Sequence, residues 1–158
     1  MKRMMLILLL MVSIPAARLM AGTNDEITTM ARRTFEKEFT EAQSVKWDKL
    51  KDVNMYTVRF IYREQALVAW IDEDGALAAT VRSWNRENLP FMVSATIARR
   101  YKDFTVTKVE ELATPIDVSY LFYVENEKSR IVVRIYGNGG YYEINKEKRK
   151  AAAPVHRG

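Results

Sequence analysis

From Ile27 the apolar positions recur at every fourth residue: Ile27, Ala31, Phe35 and Phe39, with Met30 beside them. That spacing puts one apolar stripe along a helix of about four turns. Thr23 and Glu26 have the spacing of a capping box at its start. After Gln43 the period shortens to two. Val45 and Trp47 alternate with polar residues in "SVKWDKL". In "NMYTVRFIYR", Tyr56, Val58, Phe60 and Tyr62 share one side and Thr57, Arg59, Ile61 and Arg63 the other. "QALVAWID" and "ALAATVRSW" complete four strand candidates. Short polar links between them favour antiparallel neighbours.

The same plan then restarts. "NRENLPFMVSATIARRYKDF" places Pro90 at a first helical turn, where its missing N–H costs nothing, and Val93, Ile97 and Tyr101 repeat the spacing of four. "TVTKVEEL", "IDVSYLFYVE", "SRIVVRIYG" and "GYYEINK" are four more strand candidates. Phe39 aligns with Tyr101, Tyr56 with Tyr120 and Gly75 with Gly139, at offsets of 62, 64 and 64 residues. A near-constant offset across helix, strand and turn is the mark of an internal duplication; a single α+β domain without internal symmetry is the alternative. The expected fold is α+β: two tandem helix-plus-four-strand units, about 23–84 and 85–145, forming a curved antiparallel sheet with both helices on one face.

Between two strand candidates lies "DEDG", Asp72 to Gly75. A calcium loop of EF-hand type needs alternating acids, glycine at the sixth position and glutamate at the twelfth. Here glycine directly follows Asp74, and the twelfth residue from Asp72 is Ser83. A hairpin turn fits instead, because Asp and Gly tolerate turn conformations and Gly takes positive φ freely. The aligned place in the second half reads "GNGG", so the glycine persists while the acids vanish.

The start of the chain gives an address. Lys2 and Arg3 precede the apolar run Met4 to Ile14, and Ala16, Ala17, Ala21 and Gly22 follow, the order of a secretory signal peptide over residues 1–21 with cleavage after Ala21. The run is shorter than the roughly 20 apolar residues of a membrane span; an uncleaved N-terminal anchor is the lesser alternative. The remaining chain, 22–158, is expected to be periplasmic or secreted, with no stable membrane insertion. It holds no cysteine, so it has no disulfides. The net charge of +5 misleads. Of 25 basic residues, three lie in the leader and five in the last thirteen positions; 17 remain between 22 and 145 against 19 acids. A nucleic-acid binder needs positive charge on a folded face, so no nucleic-acid partner is expected. Residues 146–158 read as a basic disordered tail.

Catalytic signals are missing. The one histidine, His156, lies in that tail without a partner at ligand spacing, so neither a zinc site nor a histidine-dependent nucleophile is expected. "YGNGGYY" lacks the lysine and hydroxyl of a phosphate loop. Glu110 and Glu111 are adjacent, but neighbours on a strand face opposite ways. The chain is read as non-enzymatic and without cofactor or metal. With the helices on Tyr56, Val58, Phe60, Leu67, Ala69 and Ile71, alternation sends Arg59, Arg63, Trp70, Arg82 and Trp84 to the other side, joined by Tyr123, Arg134, Tyr136, Tyr141 and Glu143. Trp, Tyr and Arg are the types enriched at binding hot spots. The candidate binding residues are therefore Trp70, Trp84, Arg59, Arg82, Tyr123, Arg134 and Tyr136. The competing explanation is that loops, the tail or a self-dimer cover these aromatics.

"FEKEFTEAQSVKW", "YTVRF", "ALVAWIDEDGAL" and "LPFMVSATIARRY", in that order, resemble the PepSY-like, β-lactamase-inhibitor-like family of Gram-negative envelope proteins. The resemblance covers essentially all of residues 22–145. It implies export and tandem helix-plus-four-strand units, and it carries no catalytic residues. The inhibitor after which the family is called is disulfide-bonded, which this cysteine-free chain cannot be. The expectation is an exported binding protein engaging a protein partner or envelope ligand through an open sheet face; the alternative is a periplasmic small-molecule carrier with a concave pocket.

Overall fold

The computed structural model describes residues 27–149. The expected leader over residues 1–21, the Thr23–Glu26 capping box and residues 150–158 of the expected tail lie outside them. Helix α1 (Thr29–Glu38) is capped by Thr28, whose Oγ1 accepts from the Ala31 amide at 3.2 Å. Four strands follow: β1 (Gln43–Leu50), β2 (Met55–Tyr62), β3 (Gln65–Asp72) and β4 (Leu77–Ser83). A 3₁₀ turn (Arg86–Asn88) leads into α2 (Phe91–Arg100). The chain then forms β5 (Thr105–Ala113), β6 (Val118–Glu125), β7 (Ser129–Tyr136) and β8 (Tyr141–Lys148).

The eight strands form one antiparallel sheet in the order β1 to β8, each paired with its neighbour in the chain. This corrects the expectation of two helix-plus-four-strand units with both helices on one face. β4 pairs with β5 from Thr80↔Ala113 to Ser83↔Glu110, and the Trp84 amide donates to the Val109 carbonyl at 3.0 Å. Two separate four-stranded units would each leave an edge of unpaired backbone groups at that seam. A core cluster also crosses it: Met55, Trp70, Ala79 and Val81 pack with Leu112 and Leu121. The sheet is continuous across the seam.

Each helix covers its own strands. Ala31 and Phe35 of α1 pack on Tyr56, Val58, Phe60, Ala69 and Ile71, with Phe39 and Trp47 at the margin. The Phe35 ring lies 4.9 Å from Phe60 and 5.3 Å from Trp47, both edge-on, and such aromatic pairs add about 0.5–1.5 kcal/mol each beyond their buried area. Val93 and Ile97 of α2, with Tyr101 after its end, pack on Val109, Tyr120, Phe122, Val124, Ile131, Val133 and Ile135. The cluster around Trp70 contains no helical residue and lies on the other surface of these strands, which we call the Trp70 face.

The "DEDG" stretch is the β3–β4 turn. The Ala76 amide donates to Asp72 Oδ1 at 2.7 Å, the Gly75 amide donates to the Asp72 carbonyl at 3.0 Å, and Gly75 has φ +87°. The turn also holds α1. Thr28 Oγ1 donates to the Glu73 carbonyl at 2.8 Å and Thr34 Oγ1 to the Gly75 carbonyl at 2.7 Å. The tether recurs at the β7–β8 turn, where Thr96 Oγ1 of α2 donates to the Gly139 carbonyl at 3.1 Å and Gly139 has φ +84°. At the far end, β8 continues through Lys148, three residues past the boundary expected after residue 145. Arg149 then donates from its amide to the Lys128 carbonyl at 2.9 Å.

Candidate functional site

The strand register decides which side each candidate residue occupies. Arg59 pairs with Val68 and Lys46, Tyr123 with Lys108 and Val132, and Arg134 with Leu121 and Tyr142. These residues lie on the Trp70 face, as does Tyr136, two positions beyond Arg134. Trp70 belongs to the face but not to its surface. It is only 5 % exposed, in a cluster with Met55, Ala79 and Leu121 against which Leu50 and Val53, from the end of β1 and the β1–β2 link, also pack.

Arg82 and Trp84 lie on the opposite side, which corrects their expected place. Arg82 Nε donates to Glu111 Oε1 at 2.7 Å and Nη1 to Gln65 Oε1 at 3.0 Å. Its guanidinium sits 4.5 Å from the Trp84 ring centroid. Trp84 packs against the α2 cluster, 6.0 Å from Tyr120, and its Nε1 donates to the Asn88 carbonyl at 3.3 Å. The physical cause is a bulge. Trp70 pairs with Ala79 but Ile71 with Leu77, so Ala78 is an extra residue. One extra residue inverts the side on which every later side chain of the strand emerges. Tyr141 and Glu143 are likewise on the α2 side, where Arg100 stacks 5.3 Å from Tyr141 and Tyr101 Oη donates to Glu143 at 3.0 Å. Arg63 sits in the β2–β3 turn with φ +47°, its guanidinium 5.1 Å from the Tyr62 ring.

Two open depressions occupy the half of the Trp70 face nearer the β2–β3 turn. One, of about 540 Å³, has apolar side chains from Ile61, Ala66, Val68 and Val81, with Lys46, Arg59 and Glu110 around it. The other, of about 400 Å³, is lined by Tyr123, Arg130, Val132, Asn145 and Glu147 among others. Glu110 lines the first and Tyr123 the second. Tyr123 Oη donates to Glu110 Oε2 at 2.8 Å across the divide, while Lys108 pairs with the same carboxylate and stacks 5.1 Å from the Tyr123 ring. Burial and then Glu110 push the Tyr123 phenol above its ordinary value, so it stays a hydrogen-bond donor. Ion pairs border the depressions: Arg59 with Asp48 at 2.6 Å and Arg130 with Glu125 at 2.9 Å.

A third cluster stands at the other end of the same face. Arg134 is 5 % exposed. It donates to both Asp117 carboxylate oxygens at 3.2 and 3.0 Å, to Ser119 Oγ at 2.7 Å and to Tyr142 Oη at 3.4 Å. Its guanidinium lies 4.8 Å from the Tyr136 ring. With its donors engaged in this way, Arg134 braces the β5–β6 turn against β7 and β8, leaving Tyr136 and Tyr142 as the groups that face outward.

Sequence reasoning missed Lys46, Glu110 and Val132 as lining residues. Their alternation with known core positions was readable, but the choice of side was not. Among the described residues no group of three or more His, Asp or Glu side chains is placed to hold a metal ion, and no helix is long and apolar enough to cross a membrane.

No family model matches the chain, and no curated protein matches it. Solved structures do. A BLIP-like protein from Bacteroides fragilis superposes with a TM-score of 0.66 at 18 % identity, over 83 % of this chain and 92 % of that one. A DUF2874 family protein from Bacteroides ovatus gives 0.67 at 16 % identity, over 78 % and 89 %. A candidate periplasmic protein from Bacteroides eggerthii gives 0.66 at 14 % identity, over 78 % and 89 %. At these identities the likeness is one of architecture: the chain has the BLIP-like fold.

Proposed function

We propose that this chain is a periplasmic, non-enzymatic binding protein that engages a protein partner through the Trp70 face, as a PepSY-like relative of the BLIP-like proteins. The observation that carries the reading is the half-face around Arg59 and Tyr123. It is an area of sheet with apolar side chains at Ile61, Val68, Val81 and Val132, bordered by paired charges, with no residue of either helix among its lining. Apolar centres with polar rims are how protein interfaces are built. Both depressions are open to solvent rather than enclosed, a shape that suits a protein surface better than a small molecule. The likeness to a BLIP-like protein and to a candidate periplasmic protein supports the same reading, as do the leader-like start of the chain and its lack of cysteine.

Within this proposal Arg59, Tyr123 and Tyr136 are contact residues. Trp70 and Arg134 hold the face in shape from beneath. Trp84 lies outside the contact, and Arg82 borders the first depression while its guanidinium is held by Glu111 and Gln65 on the other side. Site-directed photo-crosslinking in the native envelope tests it. A crosslinker at Ala66 or Ser83, both exposed at the first depression or its margin, is expected to capture one partner. The same group at Ala98, on the exposed side of α2, is expected to capture none, and Arg59→Glu is expected to abolish capture at Ala66. Equal capture from Ala98, or capture indifferent to Arg59→Glu, overturns the assignment of the face.

A further inference from the structure

We infer that Asn138 is a self-modification site, converting without any enzyme to aspartate and isoaspartate and thereby loosening the attachment of α2. Of the chain's asparagines only Asn138 precedes a glycine; the others precede Asp25, Met55, Arg86, Leu89, Glu127 and Lys146. The chemistry is intramolecular. The Gly139 amide nitrogen attacks Asn138 Cγ, the nitrogen gives its proton to solvent, and ammonia leaves, closing a five-membered imide. Water then opens the ring at either carbonyl. One opening yields aspartate. The other yields isoaspartate, in which the main chain runs through the former side chain and is one carbon longer. Water is the sole co-reactant.

Three features of the turn bear on the rate. Gly139 has no side chain to crowd the ring closure. Asn138 is exposed, so water and base reach it. The Gly140 amide donates to Asn138 Oδ1 at 2.9 Å. That bond draws electron density toward the oxygen on which negative charge develops during attack, the logic of an oxyanion donor. One feature opposes. The Gly139 N–H is held by the Tyr136 carbonyl at 2.8 Å, so the nitrogen must leave that bond to react. Exposed two-strand turns open at low free-energy cost, which makes this a brake rather than a block.

The product strikes a structural joint. Gly139 carries the carbonyl that accepts from Thr96 Oγ1, and a Cβ built on it would lie 3.0 Å from that hydroxyl and 3.4 Å from Met92 Cε. An added main-chain carbon between Tyr136 and Gly140 cannot keep both the turn bonds and this tether. The matching turn under α1 has Asp74 before Gly75, where the same ring closure must expel water instead of ammonia and is slower.

The test is timed incubation of the folded full-length chain in mildly alkaline buffer with peptide mass spectrometry. The peptide holding Asn138 is expected to gain about one mass unit and one negative charge at neutral pH, to resolve into two products, and to do so before the peptides holding Asn126 and Asn145 change. Asn138→Gln, whose ring closure would need six members, is expected to stay unchanged. Asn138→Asp separates the effects of charge and chain length: faster amide exchange along α2 is expected in the aged chain and not in this variant. Conversion at Asn126 or Asn145 first, or no conversion while a urea-unfolded sample converts fully, overturns the assignment. Equal exchange in the aged chain and in Asn138→Asp overturns the loosening.

Discussion

Replacing Gly75 with alanine tests how closely α1 is seated on the β3–β4 turn. Two costs add. At φ +87° an L-residue occupies the left-handed region, worth about 1–2 kcal/mol against it. The new Cβ would then lie 2.9 Å from the Met30 carbonyl oxygen and 3.0 Å from its carbon. Those are backbone atoms of the helix, so the whole first turn of α1 must lift, at about 1–3 kcal/mol by the usual cost of overpacking. The expected loss is about 2–5 kcal/mol, a shift in urea midpoint of about 1–2.5 M at a slope of about 2 kcal/mol per M. Gly139→Ala meets the same φ penalty, but its Cβ meets the Thr96 hydroxyl, a side-chain atom that can rotate away for about one hydrogen bond, so about 1–3 kcal/mol is expected. Gly137→Ala, with nothing within 4 Å and no positive φ, is expected to change stability by less than about 0.5 kcal/mol. Equilibrium urea unfolding followed by circular dichroism ranks the three. If Gly75→Ala melts with Gly137→Ala at an unchanged slope, the close seating of α1 on this turn is wrong.

Other expectations follow from burial and charge. Trp70→Ala removes a 5 %-exposed indole from the cluster with Met55, Ala79, Val81, Leu112 and Leu121 and is expected to cost about 3–5 kcal/mol in a thermal or urea melt; a near-native melt would place the ring at the surface instead. Arg134→Met strips Asp117 of its bidentate partner and is expected to cost about 3 kcal/mol, the low end for a broken buried pair because Asp117 keeps some access to water. Arg134→Lys should recover only part of that, since an ammonium cannot grip both oxygens. Burial, followed by the Glu110 contact at Tyr123 and by the Glu143 contact at Tyr101, raises both phenols in the folded state. The folded chain therefore holds protons that the unfolded chain gives up above about pH 10. Stability is unaffected below that pH and falls as pH rises through it. Ultraviolet titration should show late-ionising tyrosines, one fewer in each of Tyr123→Phe and Tyr101→Phe.

Local periodicity carried much of this architecture. The spacing of Ile27, Ala31, Phe35 and Phe39 located α1, and the alternation of Tyr56, Val58 and Phe60 located β2 and its buried side. "DEDG" was readable as a turn because glycine has a reason to be there. The side taken by Arg82 and Trp84 was not readable, because alternation gives only relative sides and a single unpaired residue, Ala78, inverts them. Nothing local marks such a bulge. The place of the β2–β3 turn was readable from the strand candidates on either side, but its conformation was not: Arg63 and Glu64 both take positive φ, +47° and +63°, without the glycine or asparagine that normally signals it. Trp70 is buried in a cluster that reaches Leu112 and Leu121 on β5 and β6, and the β4–β5 seam joins strands separated by α2. Both are long-range facts. They moved the candidate site away from its tryptophans and toward Arg59, Glu110 and Tyr123.

The order of the strands shapes how this chain reaches its native state. Every pairing but one joins strands linked by a short turn, so most of the sheet can zip together hairpin by hairpin, through contacts of small sequence separation that form quickly. The exception is the closure of β5 onto β4 across the intervening segment of about 20 residues, which carries roughly 3 kcal/mol of loop entropy. That single step is expected to limit the rate of refolding, since it turns two half-formed ribbons into one continuous sheet.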